Sequence, residues 1–538
     1  MTVSALTELF LMDMGYARND TAEDDVVAEY AGVLLRWLNE GYARAVCRLH
    51  GREAVGCLDP LRSEEDEPVK LDEALHPLLA DYAAAARVAR NVTTDHGRLA
   101  SAAGLADYIA EAAPGGAESL YVFCETGEDG VRTEYVLTGA ADGVRVWRDG
   151  QWKLLFAGTA GGWGFLSYKK GADSILIFGN GVDEVQVWDG QAESSAKLEG
   201  IPAKGKFFAL HYERVWMCGD AENPDRLYYS RMLNPNDWTG DAVTPETGGG
   251  FVDLPTFDGG VITNLYSVGG DLCILKSTTA MLLYGTSPDN YQVTRMSGEM
   301  GTIAGRTAAV YGQTGYFVTA HGIGVQSGTT ISLLDDRKLP RLFDGDYCEE
   351  PDCGEGLSPH FGACAAGIYF RERLWFALPL GQERKNSVVL EYDLARETYM
   401  LHDFGGAVDF ARAGQMREKL LVLGADGVVR ALGGGAPAPG QWRTPWLDFG
   451  SSEEKVARGI VLYGCIESEG DAACVAVTVE SDRGKKVRRL CTRDAVGAEK
   501  NRYFRRGFRL GGRRFRIDIC AEAGTRFCFT GGMELLTE

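Results

Sequence analysis

Residues 120–158 read LYVFCETGEDGVRTEYVLTGAADGVRVWRDGQWKLLFAG. Apolar and polar residues alternate in four short runs, and glycine-bearing turns separate the runs. That period of two predicts a β-meander. The pair Val144–Trp147 and Trp152–Phe156 flanks Arg148-Asp149-Gly150-Gln151, so a hairpin with Asp-Gly at its tip is expected. Outward from this stretch the unit repeats about every 45 residues between Glu118 and Gly434.

The second unit holds GFLSYKK, SILIFGNG and EVQVWDGQ, and the third FFALHY, RVWMCGD and RLYYSR. The fourth holds ITNLYSVGG, DLCILKS, AMLLYG and YQVTRM. The fifth holds TAAVYGQ, GYFVTAHG and IGVQSG. The sixth spans GACAAGIYFRERLWFALP and SVVLEYDLARETYMLHDF, and a shorter seventh holds VDFARAGQ, KLLVLGADG and VVRAL. No unit can bury both faces of its apolar strands alone, and each buried Leu or Trp contributes about 1.5–3 kcal/mol. Packing the units against one another is therefore expected, as a six- or seven-bladed β-propeller over 118–437. One unit is open to being split between the two ends of the array. A stacked solenoid is the alternative, disfavoured because its repeats are shorter.

Residues 1–113 read differently. Val26, Tyr30, Val33, Leu34, Trp37, Leu38, Tyr42, Ala45, Val46 and Leu49 recur at helical spacing. Further helices are expected over Ser4–Met14, about Asp72–Val92 and about His96–Ala112, giving an N-terminal α-helical bundle that Pro114-Gly115-Gly116 ends. Removing it should leave the rest folded. GGGAPAPGQW (433–442) reads as a linker, and 443–538 as a C-terminal β-sandwich. The fold class expected is thus multidomain and mainly β, with the bundle in front.

The 538 residues carry 55 Lys/Arg against 76 Asp/Glu, a net charge of −21. The deficit is uneven: residues 1–116 stand at −10, 441–538 at +4 and the middle at −15. An acidic whole argues against gripping nucleic acid, because phosphates need cations. Thirteen Cys are scattered singly, and most read as small buried hydrophobes in a reducing compartment. The N-terminus lacks a signal-peptide pattern, and no membrane span is expected.

Few motifs suggest chemistry. Gly200–Lys206 nearly spells a phosphate loop, but Phe207 stands where Ser/Thr must ligate magnesium, and a strand follows. Cys348 and Cys353 lie in an acidic loop whose spacing matches no calcium or zinc site. The seven His residues form no ligand pair. No catalytic residue, metal or cofactor is expected. Arg502, Arg505, Arg506, Arg509, Arg513, Arg514 and Arg516, interleaved with aromatics, suggest a patch contacting phosphate or another subunit; an outer sheet face paired with acidic neighbours is the plainer reading.

RLYYSRMLNPNDWTG (226–240), DLCILKSTTAMLLYG (271–285) and VTRMSGEMGTIAGRTAAVYGQTGYFVTAHGIGVQSG (293–328) together resemble the propeller of tailed-phage head-to-tail connector proteins, of the packaged-DNA stabilisation or nozzle class. WLNEGYARAV (37–46) and LDEALHPLLADYAAAARVAR (71–90) are similar to the helices of head–tail adaptor proteins. The resemblance implies a structural virion protein at the head–tail junction. It would form a homo-oligomeric ring of six or twelve copies that continues the portal channel and helps retain packaged DNA. Its partners would be the portal and other tail proteins; DNA would pass without sequence-specific binding, repelled by an acidic wall, and no membrane is involved. Trp37, Asn39 and Tyr42 would contact the portal or adaptor, although bundle core is the plainer reading of Trp37 and Tyr42. These connector parts are ordinarily separate proteins, so copy number stays open. Two other classes remain: a propeller-type polysaccharide depolymerase on a phage tail, which needs paired carboxylates near the axis, and a propeller that binds host proteins.

Overall fold

A computed structural model describes residues 78–79 and 86–537, except 127–130, 171–172, 255–258, 299, 335–339, 344–354, 415–416, 450–451, 468–473 and 492–501. The helices expected over 4–14 and 26–49, with Trp37, Asn39 and Tyr42, lie outside the described residues, as does the loop of Cys348 and Cys353. What is described is mainly β.

The repeats are seven four-stranded antiparallel units in chain order; six are separate sheets, and the remaining one, sheet six (Ala366–Phe370 to Thr398–His402), is one end of a nine-stranded sheet. Sheet one runs Ser119–Thr126, Arg132–Ala140, Gly143–Arg148 and Gln151–Ala157. Its last hairpin pairs Trp147 with Trp152 and Arg148 with Gln151. Asp149 (φ 54°) and Gly150 (φ 76°) both take the left-handed conformation that a two-residue hairpin turn needs. Sheets two to six begin at Gly164, Phe207, Ile262, Ala309 and Ala366, and sheet seven at Ala407. Sheet seven takes its fourth strand from far upstream: Gly104–Ile109 pairs with Val429–Gly435 through Leu105↔Leu432, Ala106↔Ala431 and Ile109↔Val429.

Each second strand is apolar on both faces because each sheet packs on two neighbours. In sheet three, Trp216 packs with Leu265, Ile274 and Leu283 of sheet four. Val215 and Met217 on its other face pack with Ile177 of sheet two. The same alternation makes seams between sheets one and two, four and five, five and six and six and seven. A last seam sets Leu421 and Leu423 of sheet seven against Leu120 and Val136 of sheet one. The leading strand of sheet seven likewise runs beside that of sheet one.

The helix expected over His96–Ala112 is corrected to the strands Arg98–Ser101 and Gly104–Ile109. Leu99, Ala103, Ala106 and Ile109 have helical spacing, but tertiary pairing overrides it. Asn91 (φ 52°) and Gly97 (φ 69°) are left-handed, and a Cβ on Gly104 would meet the Ala436 carbonyl at 2.1 Å. The helix expected over Asp72–Val92 is likewise contradicted where it is described, by Leu78–Leu79 and Val88–Arg90.

These upstream strands complete a second body with the C-terminal segment. Val92–Thr93, Arg98–Ser101, Arg526–Thr537, Lys455–Glu467 and Tyr503–Gly512 form one sheet, with Leu78–Leu79 added to Arg526–Thr537. Val88–Arg90, Gly440–Arg443, Phe515–Ala521, Cys474–Ser481 and Gly484–Cys491 supply the other layer, continuing the nine-stranded sheet that starts with the strands of sheet six. Both feed one core, where Val477, Ile517 and Ile519 meet Leu462, Phe504 and Met533. The expected linker is instead structured, since Gly440–Arg443 pairs with Phe515–Ala521. Contrary to the expectation of single cysteines, Cys474 faces Cys491 across its ladder at a Cα separation of 4.7 Å and is bonded to it.

Sheet six and this second body are joined directly. Arg90 lies parallel to Leu401, and its guanidinium donates to Asp403 at 2.5 and 2.7 Å. Arg373 of sheet six donates to Asp95 at 2.6 and 2.7 Å and also bonds buried Glu391, to which His402 Nε2 donates at 2.5 Å. Burial alone would raise Asp95 and Asp403, but hydrogen bonds from Arg373, and from Arg90 with Asn91, outweigh it and hold both below the usual carboxylate range.

Two outcomes are expected. Removing residues 1–77 leaves both bodies intact, whereas removing 1–113 strips sheet seven and the second body of strands and yields insoluble protein; soluble yield and far-UV circular dichroism of the two truncations check this. Because Asp95 and Asp403 titrate lower in the folded state, their stabilisation is present above about pH 4 and is lost as pH falls through their folded values. Asp95→Asn should therefore unfold at lower urea at pH 7 and show a flatter loss of stability between pH 5 and pH 2, read by tryptophan fluorescence.

Candidate functional site

The arginines singled out in the tail divide by strand geometry. Along Tyr503–Gly512, Phe504, Phe508 and Leu510 point into the core, while Arg505 and Arg509 point out to solvent. Arg513 and Arg514 are exposed at the following turn, and Arg502 is half-buried at the strand's start. Arg516 is drawn off to Glu480 at 2.7 Å, and Arg514 and Arg516 both lie over the Trp446 ring, at 5.0 and 4.8 Å. Arg505 and Arg509 form no ion pair among the described residues.

The neighbouring edge strand Gly484–Cys491 enlarges this patch. It belongs to the other sheet, yet Arg488 Nε donates to the Gly507 carbonyl at 3.2 Å and Arg506 Nε reaches the Arg489 carbonyl at 3.5 Å. Lys485, Lys486 and Arg489 are exposed on it. The result is a basic strip along the seam of two sheets. Nearby carboxylates are engaged: Glu480 holds Arg516, Glu454 holds Arg483 at 2.5 Å, and Asp482 accepts from the Arg513 backbone N–H at 3.0 Å. The lysines and arginines of 485–489 were missed as partners of the later cluster, although KKVRR is a visible basic run in the sequence.

A second feature lies where the leading strands of the seven sheets begin. Glu118, Gly162, Lys206, Ile262, Arg306, Cys364 and Ala407, one from each sheet's start, line a single cavity of about 770 Å³ together with Arg384, Lys385 and Asn386. Arg306, ahead of sheet five, donates to the Glu118 carbonyl ahead of sheet one at 2.8 Å and pairs with Asp409 of sheet seven at 3.0 Å. Glu118 is the one carboxylate among the described residues that line the cavity. Nothing in the sequence announced this cluster, because its members come from separate repeats. Lys206 closes the false phosphate loop, and a strand follows it as expected.

The motifs behind the family resemblance hold the fold together. In RLYYSRMLNPNDWTG, Tyr228, Tyr229 and Trp238 are buried. Arg231 pairs with Asp237 at 2.6 Å and Asp241 at 2.9 Å. Beneath that loop the fully buried Arg214 donates to the carbonyls of Ser230, Glu246, Thr247 and Gly248. In 293–328, the Thr302 hydroxyl donates to the Val318 carbonyl of sheet five, and the Val318 N–H donates to the Thr307 hydroxyl. Among the described residues, no group of three His, Cys, Asp or Glu is placed to hold a metal, and no helix is long and apolar enough to cross a membrane.

No protein-family model matches this chain, and no curated protein matches it. Among solved structures it is similar to the computationally designed Ika8 protein, at 13% identity and a TM-score of 0.36, over 61% of this chain and 99% of that one. It is also similar to the extracellular domain of the hybrid two component system BT4673 from B. thetaiotaomicron, at 9% identity and a TM-score of 0.39, over 69% of this chain and 44% of that one.

The strip should let a protein of net charge −21 bind heparin-Sepharose at low salt. Lys485→Glu with Lys486→Glu and Arg489→Glu should elute about 0.1 M NaCl earlier with unchanged circular dichroism. Equal elution would mean that the strip is covered or neutralised.

Proposed function

We propose that this chain is a structural virion protein of a tailed-phage head-to-tail interface, an adaptor- or nozzle-type subunit of a ring that continues the portal channel and helps retain packaged DNA. The observation that carries the reading is the circuit of seams, in which every sheet packs on two neighbours and the seventh packs on the first. In this reading the sheets are blades of a closed seven-bladed propeller, a stiff unit that offers surfaces. The resemblance of 226–240, 271–285 and 293–328 to the connector family supports the assignment to that assembly.

Within it, Trp37, Asn39 and Tyr42 face the portal. The basic strip of the second body meets an acidic surface of a neighbouring copy, for which the −15 of the middle segment supplies the complement. Six or twelve copies close the ring, and DNA slides through without base-specific contact.

The depolymerase reading needs two carboxylates about 5–10 Å apart at the axis. Glu118 is the one carboxylate in the described lining of the cavity, which favours the connector reading over that alternative.

Electron microscopy of the purified full chain, alone and mixed with portal rings, tests the proposal. Rings or portal-capped assemblies are expected, and removal of residues 1–77 should abolish portal capping while leaving the sheets folded. A monomer that ignores portal at micromolar concentration overturns the connector reading and favours a host-binding propeller.

A further inference from the structure

The axial cavity has a charge that the rest of the chain does not explain. Four cationic side chains line it, Lys206, Arg306, Arg384 and Lys385, in a protein with 21 more acidic than basic residues. Against them stand Glu118 in the lining and Asp409, which pairs with Arg306. Lys206, Arg384 and Lys385 form no ion pair with a carboxylate among the described residues.

Lys206 is built in. Its side chain runs through a gap in which a Cβ on Gly162 would meet Nζ at 2.9 Å, and Cβ atoms on Gly219 and Gly181 would meet its own Cβ at 2.9 and 3.5 Å. The missing side chain of Gly162 thus leaves room for the ammonium, and that of Gly219 for the base of the same side chain. Burial and then the nearby Arg306 guanidinium push Lys206 down, with Glu118 opposing weakly. Two like charges held close in a half-enclosed space repel, and a bound anion relieves that repulsion. The remaining cations come from a different side: Arg384 and Lys385 sit on the turn before Val388–Asp393, exposed at the cavity rim. A volume of about 770 Å³ exceeds what one phosphate needs and suits a ligand with several charged groups.

We propose that this cavity binds a small multivalent anion, bearing phosphate or carboxylate groups, with Lys206 and Arg306 at its floor and Arg384 and Lys385 at its mouth. The proposal stands apart from ring assembly, since every lining residue comes from one chain.

Isothermal titration of the full-length protein with sodium tripolyphosphate and with citrate tests it and separates the two chemistries. One site per chain is expected for at least one of them, tighter at 50 mM than at 300 mM NaCl. Arg384→Glu with Lys385→Glu, both exposed, should weaken binding at least about tenfold without altering circular dichroism, and Lys206→Gln should do the same. The strip variant Lys485→Glu, Lys486→Glu, Arg489→Glu should leave this site unchanged. Absence of heat with both anions, indifference to the cavity variants, or loss of binding in the strip variant alone would each overturn the assignment.

Discussion

Everything described depends on one ladder, the pairing of Gly104–Ile109 with Val429–Gly435. Without it, sheet seven would have three strands where its neighbours have four, and Val429–Gly435 would lose the partners it has on that side. With it, Ile109 joins Val429 and Leu421 in the seam that meets sheet one, so the same residues complete a sheet and a packing circuit. The side chains are small here, Ala106 opposite Ala431, and Gly104 and Gly435 let the backbones come close. The contact is long in sequence and short in space, which is how an array of sheets avoids two loose ends.

The second body repeats the principle. It is a sandwich of strands from both sides of the array, and Val88–Arg90 lies between Gly440–Arg443 and the outer strand of sheet six. Charge then fastens the junction where apolar area is limited: Arg90 to Asp403, and Arg373 to Asp95 and Glu391. Both guanidiniums use two or more oxygens, the geometry in which such pairs are strongest. The stiffness proposed for a connector would need such a joint, because a sandwich swinging on a flexible Gly/Pro tether would transmit no load.

The sequence made the middle of the chain legible because its signals are local. Asp149-Gly150 fixed a hairpin by turn chemistry, and runs such as RVWMC and DLCILK are apolar on both faces because both faces are covered. The upstream end was misread for the same reason. Leu99, Ala103, Ala106 and Ile109 satisfy a helical period as well as a strand, and the arbiter is a partner more than three hundred residues away. The basic strip was half visible: the arginines after 501 stood out, but their alliance with Lys485 and Lys486 exists only because two sheet edges meet. The cavity cations were invisible, since Lys206, Arg306 and the neighbours Arg384 and Lys385 come from three separate repeats.

The upstream origin of the closing strand sets an order of events during synthesis. Residues 104–109 leave the ribosome early and must wait, unsatisfied, until Val429–Gly435 has been made. Arg90 and Asp403, 313 residues apart, wait in the same way. Contacts of such high order form late and leave apolar edges open meanwhile. A chain terminated before Val429 would therefore leave sheet seven without this ladder, and one terminated before Arg526–Thr537 would leave the second body without the strand that pairs both Arg98–Ser101 and Lys455–Glu467.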